Sequence, residues 1–212
     1  MAKSEELYNA ILEGNAKRAH AATEAALAAG VPPMDLIAGS MVPAMDEVGR
    51  LFEAEEYFVP ELLLAGRAMK SALELLRPLM TASGEKLATR IVIGTVKGDL
   101  HDIGKNIVGS MLEGSGFEVI DLGTDVSPEK FVAAVKEREP QVVCMSALLT
   151  VTMPAMKTTI EALTNAGVRT NVKVLIGGAP VTSQYAKEIG ADGYSESASG
   201  AVGLVRNLIA AA

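Results

Sequence analysis

The sequence predicts two architectures in tandem. An antiparallel four-helix bundle comes first, followed by an α/β domain whose five-stranded parallel sheet is doubly wound in the flavodoxin or Rossmann manner. Three observations predict it. Up to about position 80, apolar residues recur at spacings of three and four, the helical period. From Thr89 onward, short β-branched runs alternate with helical segments. Between the two lies 81-TASGEKLA-88, which is small, polar and charged, the composition of a linker. The expected boundaries are a bundle over 1–83, a linker over 84–88 and the α/β domain over 89–212.

Each element has its own justification. The first helix runs through Leu7, Ile11 and Leu12 to a stop at Gly14-Asn15. The second carries Ala21, Ala22, Ala25 and Leu27 and ends at Gly30-Val31-Pro32-Pro33. The third runs from Leu36 through Met41, Met45 and Val48 to Phe52, before the acidic turn 53-EAEEY-57. The fourth runs from Leu62 through Met69 and Leu73 to Leu76. Pro60 suits the first turn of that helix, where a missing N–H costs nothing. Pro43 lies inside the third run and predicts a kink or a later start. Short loops between four helices make the bundle antiparallel.

In the second half, strands are expected at 90–96, 117–122, 141–147 and 172–176, with 192-DGY-194 as a brief fifth. Helices are expected near 104–115, 128–138, 153–166, 181–189 and 199–210. Continuously apolar strands separated by helices indicate a parallel sheet covered on both faces. Such sheets bind ligands at the carboxyl ends of their strands. The residues after Val96, Met145 and Ile176 therefore matter most.

Composition narrows the function. Hydrophobic residues make up 49%, enough for a core, but aromatics are only 4% and Trp is absent. Nucleic-acid readers rely on basic surfaces and stacking aromatics, so a net charge of −7 argues against that class. One Cys excludes an internal disulfide framework and a cysteine-based metal cluster. Cys144, mid-strand, reads as a small core residue, and His20 as a solvated side chain on a bundle helix. The polar, acidic N-terminus lacks the layout of a signal peptide. No apolar run reaches the ~18 residues that span a bilayer. The expectation is a cytoplasmic protein with no membrane and no nucleic acid among its partners.

Three strand ends carry unusual residues: 98-GDLHDIG-104, 146-SALLTVT-152 and 177-GGAP-180. Taken singly, each has an ordinary reading, such as Asp102 as a helix cap or Gly177-Gly178 as a plain turn. Familiar motifs fail here. Gly104-Lys105 mimics the end of a phosphate loop, but Asp99 stands where the first glycine of G-x-x-x-x-G-K-[ST] belongs and Asn106 where Ser or Thr belongs. A dinucleotide G-x-G-x-x-G is absent after the first strand. A hydrolytic zinc site needs about three protein ligands, and only one histidine lies here. A lone histidine with a carboxylate behind it suits a metal already held by something else, such as a macrocycle. The second ring nitrogen then donates to the carboxylate, which fixes the tautomer and raises the basicity of the ligand.

The pattern D-x-H-x-x-G at Asp99, His101 and Gly104, then S-x-L at Ser146 and Leu148, then Gly177-Gly178, resembles the signature of cobalamin-binding domains of the methionine synthase and methyltransferase type. The segment 42-VPAMDEVGRLFEAEEYFVPELLLAGRAMKSALELL-76 is similar to the helical cap that precedes this domain in methyl-carrying corrinoid proteins. The resemblance covers essentially the whole chain. The group it resembles most comprises the small corrinoid proteins of methanol, methylamine, betaine and aryl-ether methyltransferase systems.

The resemblance implies a set of roles. His101 replaces the cofactor's own dimethylbenzimidazole as lower ligand of cobalt, the base-off, His-on state. Asp99 hydrogen-bonds His101, and Ser146 or Thr152 extends the relay. Gly104, Gly177 and Gly178 leave room for the displaced nucleotide tail. Ser146 and Thr150 contact the displaced base or ring amides. Gly98, Leu100, Asp102, Ile103, Leu148, Thr152 and Ala179 complete the cofactor-binding set. Phe52, Val59 and Leu62 cover the upper, methyl-bearing face. The implied cofactor is cobalamin, present as methylcobalamin when loaded.

The implied partners are a donor-specific methyltransferase subunit, an acceptor methyltransferase working on tetrahydrofolate or a thiol, and a reductive activation protein. The carrier alone is not a catalyst, and its linker is the expected hinge. Three alternatives stand beside this reading. They are a mutase subunit sharing D-x-H-x-x-G, a cobalamin-dependent regulator, and a flavodoxin-like signalling or binding module without cobalamin.

Overall fold

The computed structural model describes residues 4–83 and 89–210. The linker expected at 84–88 lies outside the described residues. The chain divides into two compact units. One comprises the N-terminal helices with Ser110–Phe117, the other Thr89–Gly109 with the chain from Glu118 onward.

In the helical unit, α1 (Glu5–Leu12) begins at Ser4, whose hydroxyl accepts the Leu7 N–H at 3.3 Å. Glu5 and Glu6 in its first turn complement the positive end of the helix dipole. Gly14 ends it with φ +69°, and a Cβ there would lie 2.6 Å from Cβ of Leu64. Conformation and space both demand glycine at this turn. α2 (Ala16–Ala28) is capped by Asn15, which accepts from Arg18 N at 3.1 Å. It packs along α5 (Val59–Ser83) and against α1.

The third helix of the bundle is not one regular helix. A short α3 (Pro33–Leu36) passes through a π-helical turn (Ile37–Met41) into α4 (Val42–Glu53). Pro43 explains this. It has no N–H to offer the preceding turn, and its ring crowds the carbonyl four residues back. The wider turn, with Val42 N–H bonded to the Ile37 carbonyl, relieves the crowding. Pro60 is the second residue of α5, as expected. The Phe58 N–H donates to the Glu61 carboxylate at 3.0 Å, one arm of a capping box.

The second unit holds a five-stranded sheet of order β2-β1-β3-β4-β5, parallel throughout. The strands are β1 (Arg90–Thr95), β2 (Glu118–Asp121), β3 (Val142–Ser146), β4 (Lys173–Gly177) and β5 (Gly193–Tyr194). The connecting helices are α6 (Ile103–Gly114), α7 (Pro128–Arg138), α8 (Pro154–Asn165) and α9 (Ser183–Ile189), with α10 (Ala198–Ala210) last. Val92, Val143, Met145, Val174 and Ile176 join Phe131 of α7 and Ile160 and Leu163 of α8 in one buried cluster. A Cβ on Gly94 would meet the Phe131 ring at 2.9 Å, so this strand glycine makes room for the one phenylalanine of that cluster. On the opposite face, Leu204 of α10 approaches Leu175 over Gly193.

Cys144 is buried within β3, and burial pushes its thiol up to about 12, in keeping with a core role. No described helix is long and apolar enough to cross a membrane. The strand order reverses between β1 and β3, and the loops after these strands meet at the carboxyl edge where a ligand belongs.

Candidate functional site

The site starts where β1 ends. Val96 donates to the Ser146 carbonyl at 3.0 Å, tying the two strand ends together. The chain then turns sharply. Asp99 N–H returns to the Val96 carbonyl at 3.1 Å, and Gly98 adopts φ +84°, which favours glycine. Asp125, after β2, clamps this turn from outside. Its Oδ1 accepts the Gly98 N–H at 2.8 Å, its Oδ2 pairs with Lys97 at 3.0 Å, and its own N–H donates to the Asp99 carbonyl at 2.9 Å.

This turn drives the Asp99 side chain into the protein, where it is 0% exposed. Its Oδ2 accepts the Leu148 N–H at 2.8 Å, the Thr152 hydroxyl at 2.7 Å and, more loosely, the Leu149 N–H at 3.4 Å. Its Oδ1 accepts the His101 N–H at 3.1 Å and lies 3.0 Å from His101 Nδ1. Burial pushes this carboxyl's pKa upward. Hydrogen bonds from Leu148, Thr152 and both His101 donors outweigh it and hold the group well below the usual carboxylate range. Asp99 is therefore a fixed negative charge at neutral pH.

A fixed carboxylate at Nδ1 makes that nitrogen the ring's donor, which leaves the lone pair on Nε2. The His101 side chain is 54% exposed. The backbone around it is pinned as well, since Thr95 Oγ1 donates to the His101 carbonyl at 2.8 Å. Large apolar residues surround this polar centre without being buried. Leu100 and Ile103 are each 74% exposed and Val151 is 80% exposed, while Leu148 and Leu149 are half-exposed. Apolar side chains clustered at a strand edge mark a surface that binds something.

The predicted residues fall into groups. Gly98, Asp99, Leu100, His101, Leu148 and Thr152 come together around the dyad, although Leu148 serves Asp99 through its backbone N–H. Thr152 is the hydroxyl that reaches Asp99. Ser146 is the last residue of β3, in register with Thr95 and Gly177. Thr150 and Ala179 are exposed on the loops after β3 and β4. Asp102 directs its carboxylate to the Asn106 side-chain amide at 3.2 Å, one turn on.

Among the glycines, Gly104 has open space where a Cβ would go, and Gly177 meets only the Ser195 carbonyl at 3.4 Å. Gly178 differs. At φ +128° its Cβ would lie 1.8 Å from the Ala147 carbonyl oxygen, so the chain's own packing requires this glycine. In the helical unit, Phe52 and Val59 are partly exposed and Leu62 is buried. Thr95 and Asp125 lie outside the set that the sequence predicts. The signal for Thr95 was a lone hydroxyl closing an apolar strand, and for Asp125 an acid just after Leu122-Gly123.

Among the described residues, no three His, Cys, Asp or Glu side chains gather into a metal cage. The arrangement is that of a protein contributing one oriented imidazole, on an apolar platform, to a metal whose other ligands come with a cofactor. The residues fit a corrinoid: a braced, half-exposed imidazole, an apolar collar, and open room at Gly104. Comparison with known proteins gives the particular family. Residues 89–203 match a B12 binding domain, and residues 4–77 match a second B12 binding domain family. The chain is 46% identical to trimethylamine corrinoid protein 2 of Methanosarcina mazei, over 97% of both chains. It is 45% identical to the trimethylamine corrinoid protein of Methanosarcina barkeri, over 97% of this chain and 98% of that one.

Two solved structures are similar along nearly the whole chain. A cobalamin-binding protein from Desulfitobacterium hafniense has a TM-score of 0.80 at 34% identity, covering 98% of each chain. The methanol:cobalamin methyltransferase complex MtaBC from Methanosarcina barkeri has a TM-score of 0.86 at 32% identity, covering 98% of this chain and 79% of that one. This chain belongs to the B12-binding corrinoid proteins of methyltransferase systems, and its cofactor is cobalamin.

Proposed function

We propose that this protein is a methyl carrier that binds cobalamin base-off with His101 Nε2 as the lower ligand of cobalt. The observation that carries the reading is the dyad: Nδ1 of an exposed imidazole 3.0 Å from a fully buried, fully hydrogen-bonded carboxylate. Bound cobalamin supplies a cobalt centre that can take up and give up a methyl group. The chain's own residues bind, orient and shield. Asp99 holds His101 in one tautomer and orientation and strengthens its donation. Thr152 and the Leu148 N–H keep Asp99 charged and still. Leu100, Ile103 and Val151 offer apolar contact to the ring. Gly104 and Gly177 are proposed to leave space for the displaced nucleotide tail. Phe52 and Val59 of the helical unit are proposed to screen the methyl-bearing face from water. Leu62, in the same helix as Val59, is buried and is proposed to belong to the same covering set.

The proposed partners are a donor-specific methyltransferase, an acceptor methyltransferase that passes the methyl to tetrahydrofolate or a thiol, and a reductive activation protein. Kinship with trimethylamine corrinoid proteins supports a methylated amine as the donor. Reconstitution tests the cofactor site. Apo-protein mixed with hydroxocobalamin should stay red through gel filtration. His101→Ala should hold the pigment at least tenfold more weakly and with a changed visible spectrum, because one metal–ligand bond is gone. A His101→Ala protein with the wild-type spectrum and affinity would overturn the axial-ligand assignment.

A further inference from the structure

We infer that Thr95 is a positioning residue for His101, acting through the backbone on a path separate from Asp99. This rests on the axial-ligand reading. Thr95 closes β1 and is fully buried, yet it is polar at the end of the apolar run 91-IVIG-94. Its Oγ1 donates to the His101 carbonyl at 2.8 Å, across the turn that ends at the dyad. Its backbone is spent elsewhere: the N–H bonds the Gly123 carbonyl at 3.0 Å and the carbonyl accepts from Val126 N at 2.9 Å. The residue is thus anchored to the β2 side of the sheet while its hydroxyl holds the loop.

Asp99 constrains His101 from one direction, at the backbone N–H and at Nδ1. Both contacts use the same carboxylate oxygen. They leave the carbonyl end of the residue, where the chain turns into α6, without restraint from Asp99. Thr95 supplies that restraint. With both ends of the residue held, the imidazole is presented in one place before any ligand arrives, and preorganisation lowers the cost of binding. Valine is nearly the same shape as threonine and suits a strand, so Thr95→Val removes the hydrogen bond with little loss of packing. Thr95→Ser keeps the hydroxyl.

The test compares wild type, Thr95→Val, Thr95→Ser and His101→Ala by two readouts. The first is the visible spectrum and retention of bound hydroxocobalamin. The second is amide hydrogen exchange at His101 in the apo-protein. Thr95→Val should bind roughly three- to tenfold more weakly, the value of one hydrogen bond. Its spectrum should shift toward that of His101→Ala, and protection of the His101 amide should fall. Thr95→Ser should restore all three. If Thr95→Val matches wild type in spectrum and exchange while His101→Ala does not, Thr95 has no positioning role. If His101→Ala itself matches wild type, the axial-ligand reading fails and this inference fails with it. A loss in Thr95→Val that Thr95→Ser does not rescue would mean a packing defect and would also overturn it.

Discussion

Asp99 concentrates more interactions than any other residue discussed above. A carboxylate with no exposed surface would ordinarily resist ionisation, yet three backbone donors (Leu149 the loosest), a hydroxyl and a ring nitrogen converge on it. The folded state therefore holds its pKa below that of the unfolded chain, and the sign of the linkage follows. The stabilisation is complete above the unfolded value, roughly 3.9 for aspartate, and drains away as pH falls below that value toward the folded one. Asp99→Asn should cost the apo-protein about 2 kcal/mol or more at neutral pH, since the amide turns N–H groups toward existing donors. Urea titrations should find the gap between variant and wild type steady from about pH 8 to pH 5, and narrowing below about pH 4. A gap that holds constant into strong acid would mean the carboxyl is not the charged hub described here.

At the scale of elements, two glycines that look alike in sequence separate in structure. Gly104 sits in the first turn of α6 with open space around it, so Gly104→Ala should stabilise the apo-protein by about 0.5–1 kcal/mol through helix propensity. If the nucleotide tail passes there, the same change should sharply weaken cobalamin retention. Gly178→Ala should cost roughly 2–4 kcal/mol in the apo-protein, because it combines a disfavoured backbone conformation with a backbone collision. Thermal melts of both apo variants, followed by reconstitution, check the pair. A destabilised Gly104→Ala apo-protein would remove the case for a reserved space.

The sequence made the helical and strand periods legible, and with them the strands of the described sheet, their parallel pairing and the carboxyl edge; the strand order itself came from the structure. It also made the dyad legible, because Asp99 and His101 lie two residues apart on one turn. It did not reveal the π-helical turn, since Pro43 announces a defect without saying which one. Gly178 also meets a packing demand that the sequence hides, because close backbone approach between the loops after β3 and β4 is a tertiary fact. Thr95 and Asp125 went unread for the same reason. Both act through hydrogen bonds to backbone atoms of a turn, and no spacing rule encodes those.

The whole molecule must meet two demands that oppose each other. A reactive methyl group needs shelter from water between encounters, and it needs open access when a partner enzyme arrives. This chain has two compact units, and the N-terminal helices run on into the second unit through a short segment of small and charged residues, 81-TASGEKLA-88, while Ser110–Phe117 belongs with the first unit. We propose that this segment is the hinge, since a few residues at element ends can absorb the backbone rotation of a domain motion. Proline at Glu85 and Lys86 would fix φ there and restrict the residues before them. The dyad, the apolar collar and Gly104 all lie in the second unit. Cobalamin retention and the visible spectrum of such a variant should therefore match wild type. Methyl transfer to or from a partner methyltransferase should slow by roughly an order of magnitude, a barrier increase of about 1.4 kcal/mol. Stopped-flow transfer assays on the loaded variant, paired with its absorption spectrum, separate the two effects. Transfer at the wild-type rate would mean that access to the cofactor does not depend on this segment.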